Sequence, residues 1–130
     1  MELSRALDEI ERQGLAATTG FNFKAAMDLL RSFFERFIQE AVRLVAAKAQ
    51  RDVPSGDKLS HFRPFKDYLR AVGILVREED EHLQTLYNYV SNVGSHALGS
   101  APEQFHVAKT TVVEWCMMTA GRIREFLANP

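Results

Sequence analysis

The sequence has little cysteine, and this shortage limits where the protein can work and how it is stabilised. Its one cysteine, Cys116, cannot form an internal disulfide, so packing must hold the fold together. A lone cysteine in an apolar helical stretch is typical of a reducing compartment, and we expect a cytoplasmic protein. Because no base lies near Cys116 in sequence, structural burial is its expected role rather than nucleophilic chemistry.

Long hydrophobic runs and an excess of charge are also absent. No apolar run approaches the roughly 20 residues that span a bilayer, and the N-terminus lacks the basic-then-apolar pattern of a signal peptide, so we expect no membrane association. The net charge of −1 argues against a protein that binds nucleic acid by its overall charge, although a local basic patch is compatible with it.

No segment alternates apolar and polar residues as a half-buried strand does, which predicts an all-α fold. Glycine and proline fall mostly between stretches of helical periodicity, at about residues 2–13, 22–51, 60–72, 78–93 and 100–127. Short loops between these segments predict an antiparallel bundle of four to five helices in a single domain, residues 1–130. The chain stops directly after its last predicted helix, as a module of a longer protein would.

The signatures of common enzymes are missing: the Gly-rich phosphate loop, the His-Glu-x-x-His pair, Cys-x-x-Cys and the Gly-x-Ser-x-Gly elbow. His82 follows Glu79 by three residues and Glu78 by four, spacings at which one helix face could hold a metal ion. A run of four acidic residues produces such pairs by chance, and it suits the positive end of a helix. We therefore expect a solvated helix start here, with no metal or other cofactor.

Polar groups are instead concentrated at the end of the fourth predicted helix, residues 86–96, LYNYVSNVGSH. A helix that only buries an apolar stripe does not need these five residues within nine positions: Asn88, Ser91, Asn92, Ser95 and His96. Each must find a partner or stay hydrated, because burial without one costs about 1–3 kcal/mol. Tyr87 could stack on a nucleic-acid base, but its spacing favours a core position with the hydroxyl at the edge.

The order of features from Gly73 to His96 is a helix end, an Ile-Leu-Val turn, an acidic helix start and this polar helix end. It resembles the HEPN superfamily (higher eukaryotes and prokaryotes nucleotide-binding), in particular its abortive-infection and bacterial-defence branches. There a Gly-Ile/Leu turn precedes a helix that ends in Arg-Asn, and a histidine follows four to six residues after the arginine. The resemblance covers about residues 60–127, and a HEPN-like bundle also accommodates the helix at 22–51.

The resemblance implies a metal-independent endoribonuclease in which two copies face each other across a homodimer and form one cleft. The family histidine acts on the 2′-hydroxyl or the leaving oxygen, and the arginine holds the scissile phosphate. His96 matches this histidine and Asn92 the polar residue after the arginine, whereas Ser91 stands at the arginine position. Serine supplies no positive charge, and losing one such contact costs about 10²–10³ in rate. Arg77, Lys109 or a residue of a partner chain could take that role.

Two functions of different classes are therefore open. The first is a HEPN-like domain of a bacterial defence or toxin-type system that acts on RNA, with His96, Asn92 and Ser91 as catalytic-site residues. The second is a non-catalytic helical module that dimerises or docks another protein, in which the same polar groups hold the register of an interface or cap the helix end. A small-ligand pocket between helices is a third alternative.

Overall fold

A computed structural model describes residues 20–50, 52, 62–92 and 101–129. This part of the chain forms four helices, α1 (Gly20–Ala49), α2 (Phe62–Ala71), α3 (Arg77–Asn92) and α4 (Ala101–Ala128). Their bounds lie within two residues of four of the predicted segments, and the all-α prediction is confirmed. The predicted helix at 2–13 lies outside the described residues. None of the described helices combines the length and apolar character needed to cross a bilayer.

α1 is the centre of the bundle and contacts the other three helices. Its apolar positions recur every three or four residues, which gathers them on one broad buried face. The largest fully buried side chains of this face are Met27, Leu30, Phe34, Ile38, Val42 and Val45. They belong to one apolar core with residues of the other helices, among them Phe65, Leu69, Leu83 and Val112.

A tight turn between α2 and α3 sets the direction of α3. Gly73 has a φ of +88°, which favours glycine, and the Ile74 N–H donates to the Leu69 carbonyl at 2.9 Å. This is the pattern of a helix closed by a Schellman motif. α3 then begins with one half of a capping box, in which the Glu79 carboxylate accepts from the Val76 N–H at 2.9 Å.

The first and last described helices run in the same direction. The Lys48 ammonium near the end of α1 donates to the carbonyl of Leu127, near the end of α4, at 3.1 Å. Arg122, in the last third of α4, binds Glu79 at the start of α3. α3 therefore runs antiparallel to both α4 and α1.

α2 is also antiparallel to α3, since Phe62 at its start stacks on Tyr87 late in α3 and Lys66 binds Asp80 early in α3. The predicted antiparallel arrangement thus holds for α2–α3 and α3–α4 but not for α1–α2 or α1–α4. The physical reason is the length of the α1–α2 connection, because its twelve residues, 50–61, can reach about 40 Å. Phe62 accordingly meets Phe34 in the middle of α1, with ring centroids 4.8 Å apart.

An ion cluster joins α2 to α3, in which Lys66 and Asp80 are buried and Arg70 is exposed. The Lys66 and Asp80 residues are 3% and 5% exposed, and the Arg70 guanidinium donates to Asp80 at 3.0 Å. Burial alone would raise the pKa of Asp80, but hydrogen bonds from Lys66 and Arg70 outweigh it and hold the pKa below its usual value. The expectation of a solvated acidic helix start is therefore wrong for Asp80. The cluster fixes the start of α3, and with it the position of the polar end of the same helix.

Candidate functional site

The polar end of α3 packs against the middle of α1, and Tyr87 lies between these two helices. Its ring stacks on Phe62, with centroids 4.3 Å apart and planes at 7°, and its centroid is 6.4 Å from that of Phe34. The Tyr87 hydroxyl donates to the Glu35 carboxylate of α1. Tyr87 thus has the predicted core position with its hydroxyl at the edge, and Phe62 covers one ring face against a base.

Helix register places two further polar side chains near Tyr87, one on each helix. Ser91 is one turn beyond Tyr87 on α3, and Arg31 is one turn before Glu35 on α1. Because α1 and α3 are antiparallel, Ser91 and Arg31 are displaced from the Tyr87–Glu35 contact in the same direction along the bundle. The pKa of Tyr87 agrees with this register: burial and Glu35 raise it to about 12, while the Ser91 hydroxyl and the Arg31 guanidinium act to lower it. We call Arg31, Glu35, Tyr87 and Ser91 the Tyr87 cluster.

Two atoms of the Tyr87 cluster are buried without a hydrogen-bond partner among the described residues, namely Arg31 Nε and Ser91 Oγ. The Ser91 hydroxyl is close enough to act on Tyr87, yet it makes no hydrogen bond of good geometry. Arg31 is the only charged residue with such an atom in the described part of the chain. Each buried polar atom without a partner costs about 1–3 kcal/mol of folding stability. A purely structural role in packing does not explain why the fold keeps two such atoms.

Of the three predicted site residues, the structure describes Ser91 and Asn92, and these two differ in burial. Ser91 is half-buried in the cluster, whereas Asn92 is the last residue of α3 and is exposed. His96 lies outside the described residues. Sequence reasoning missed Arg31 and Glu35, although two charged residues one turn apart on the apolar face of α1 were the signal for them.

Arg77, one of the two cations of this chain that the sequence offered in place of the family arginine, does not lie in the Tyr87 cluster. Arg77 begins α3, and the fourteen residues to Ser91 correspond to about 21 Å along a helix. Its guanidinium binds Glu81 instead, at 3.2 Å. Lys109 lies on α4. Arg31 is a cation that the register between α1 and α3 places beside Ser91.

Glu79 and His82, whose spacing could hold a metal ion, have other contacts at the start of α3. The Glu79 carboxylate accepts from Arg122 Nη2 at 2.6 Å, and this hydrogen bond is the main cause that holds the pKa of Glu79 below its usual value. His82 lies edge-on to Trp115, with centroids 6.3 Å apart. The described residues contain no group of His, Cys, Asp or Glu side chains placed to hold a metal ion.

Cys116 lies on the buried face of α4, as its expected structural role requires. Burial raises the pKa of its thiol to about 12. The nucleophilic thiolate is therefore scarce near neutral pH.

A second surface feature is an open, mostly apolar groove of about 460 Å³ between α3 and α4. Its lining comprises His82, Thr85, Leu86, Tyr89, Val107, Ala108, Thr111 and Trp115. Val107 is 61% exposed at this groove, and Met117, further along α4, is 67% exposed. The half-buried Trp115 packs against the core from the groove.

The chemistry of the Tyr87 cluster is that of binding. A guanidinium with an unpaired Nε–H suits an oxyanion, above all a phosphate or a carboxylate. Tyr87 is no base near neutral pH, since its pKa is about 12 and its proton is shared with Glu35.

No protein-family model, curated protein or solved structure matches the chain.

Proposed function

We propose that the protein is a HEPN-like, homodimeric domain that acts on RNA in the cytoplasm, in a bacterial defence or toxin-type system. The observation that carries this proposal is the Tyr87 cluster, in which Arg31 Nε and Ser91 Oγ have no hydrogen-bond partner among the described residues, while Arg31 as a residue is only half-buried. This cluster occupies the helix end at which the resemblance to the HEPN superfamily expects the phosphate-binding residues. A phosphodiester has the acceptor oxygens that both groups lack.

In this proposal His96 transfers the proton, while Asn92 and Ser91 position the substrate. The 2′-oxygen forms a bond to phosphorus as the bond to the 5′-oxygen breaks, which leaves a 2′,3′-cyclic phosphate and a 5′-hydroxyl. His96 takes the proton of the 2′-hydroxyl or protonates the leaving 5′-oxygen, since an imidazole ionises near neutral pH. The homodimer brings two copies of His96 to one cleft.

Incubation of the protein with structured and single-stranded RNA in the presence of a metal chelator tests the proposal. We expect cleavage that leaves cyclic phosphate ends, and a loss of about 10²-fold or more in His96→Ala. His106→Ala is the matched control, because His106 is an exposed histidine of α4. Equal cleavage by wild type and His96→Ala, or no cleavage by either, would remove the enzymatic function.

The α3–α4 groove favours a second candidate, a non-catalytic module that dimerises or docks another protein. An exposed apolar surface with aromatic side chains is typical of the centre of an interface. Light scattering of Val107→Glu, beside Leu44→Glu on α1 as the control, measures whether this face pairs two copies. A dimer that Val107→Glu dissociates, in a protein that neither binds nor cleaves RNA, would favour this second candidate.

A further inference from the structure

Two other cations at the helix interfaces of the described residues, Lys66 and Arg122, are bound by carboxylates. Lys66 is bound by Asp80 and by Asp67, the latter at 3.0 Å. Arg122 is bound by Glu79 and also donates to the carbonyl of Ile74 at 3.0 Å. These pairs show how the fold satisfies a cation whose role is structural.

Arg31 departs from this pattern. Its Nε is buried without a hydrogen-bond partner among the described residues, although the Glu35 carboxylate lies one turn away on the same helix. Glu35 accepts instead from the Tyr87 hydroxyl of α3. Tyr87 thereby engages the carboxylate that would otherwise be the natural partner of Arg31.

We propose that Arg31 binds a backbone phosphate of RNA at the end of α3, and so supplies from α1 the positive charge that Ser91 lacks. This inference rests on the proposed function, because it takes its ligand to be an RNA phosphodiester. The guanidinium fork can reach two phosphate oxygens, and the neighbouring Ser91 hydroxyl can donate to one of them. The phosphate site is then built from two helices of one chain.

The charge of Glu35 limits how strong this phosphate site can be. A carboxylate near the phosphate repels it, so binding depends on Arg31 being nearer to the phosphate than Glu35 is. The hydrogen bond from Tyr87 directs Glu35 toward α3. Tyr87 is therefore a positioning residue for the phosphate site, and its own ring need not touch RNA.

The test measures binding of a fluorescent 2′-O-methyl RNA oligonucleotide, which lacks the 2′-hydroxyl needed for cleavage, at several salt concentrations. We expect Arg31→Gln to weaken binding about tenfold and to reduce the salt slope by about 0.7. Arg43→Gln is the matched control, because Arg43 lies on the same helix, pairs with Glu40 and has a side chain that is 63% exposed. This control should change the affinity less than about twofold.

Relocation of the charge gives a second readout. The double variant Arg31→Gln/Ser91→Arg places a guanidinium at the family position, and we expect it to recover most of the lost affinity. Should Arg31→Gln fail to fold by circular dichroism, Arg31→Met keeps the apolar stem and serves in both measurements.

The outcomes separate this inference from the proposed function. If wild type binds RNA through Arg31 but does not cleave it, the phosphate site stands and the enzymatic function fails. If wild type cleaves RNA and Arg31→Gln binds and cleaves as Arg43→Gln does, the function stands and the inference is overturned. Absence of RNA binding by wild type overturns both.

Discussion

Asp80→Asn removes the negative charge from the ion cluster that joins α2 to α3. Lys66 and Asp80 are 3% and 5% exposed, so the substitution leaves the Lys66 ammonium in a place that water hardly reaches. Loss of one partner of a buried pair costs about 3–5 kcal/mol when the remaining charge is uncompensated, and Asp67, which still binds Lys66 at 3.0 Å, brings the cost to the lower end of this range. A domain of this size is stable by about 5–15 kcal/mol, so the change is a large fraction of the total.

Urea unfolding followed by circular dichroism measures this change, and we expect a loss of about 3 kcal/mol in the free energy of unfolding. Glu81→Gln is the matched control, since it removes one acidic charge from the same helix and its pair with Arg77 is exposed, at 61% and 73%. The control should stay within about 0.5 kcal/mol of wild type. If Asp80→Asn changed stability no more than Glu81→Gln, the reasoning about the ion cluster would be wrong.

Three further predictions follow from the titrating groups. The pKa values of Glu79 and Asp80 are lowered in the fold, so both carboxylates stabilise the fold above their ordinary pKa values of 4.5 and 3.8. This stabilisation is lost as the pH falls below those values, and a melting temperature that stayed constant down to pH 2 would contradict the prediction. The pKa of Tyr87 is raised to about 12, so one tyrosine should ionise about two pH units late in an ultraviolet titration, and stability should fall as the pH rises from about 10 to 12. Tyr87→Phe should abolish the late step. Cys116, with a thiol pKa of about 12, should react with a thiol reagent only as fast as the protein opens, and rapid labelling of the folded protein would disagree.

The helices of the described chain were predictable because their signals are local. Apolar spacing gives the extent of α1, and Gly73 with the acidic run after it gives the end of α2 and the start of α3. The direction of α2 relative to α1 was not predictable in this way. It depends on how far the connection at 50–61 travels, which no periodic pattern encodes.

The candidate site was predictable only on the α3 side. Residues 86–92 stand out because polar groups interrupt a helical pattern, and Tyr87 has the position that its spacing predicts. Arg31 and Glu35 are separated from Tyr87 by more than fifty residues, so their meeting depends on the register between two helices. The pairing of Lys66 with Asp80 was not predictable for the same reason. Asp80 is therefore buried, although it belongs to an acidic run that the sequence predicts to be solvated.

The Nε–H signal of Arg31 in a nitrogen-15 NMR spectrum tests the central claim most directly. The signal is assigned by its absence in Arg31→Lys, and the protein is then titrated with the 2′-O-methyl RNA oligonucleotide. We predict that this signal moves with the RNA concentration, while the Nε–H signal of Arg122, whose guanidinium Glu79 already binds, stays in place. An Arg31 signal that stays in place while RNA binds elsewhere would contradict the account.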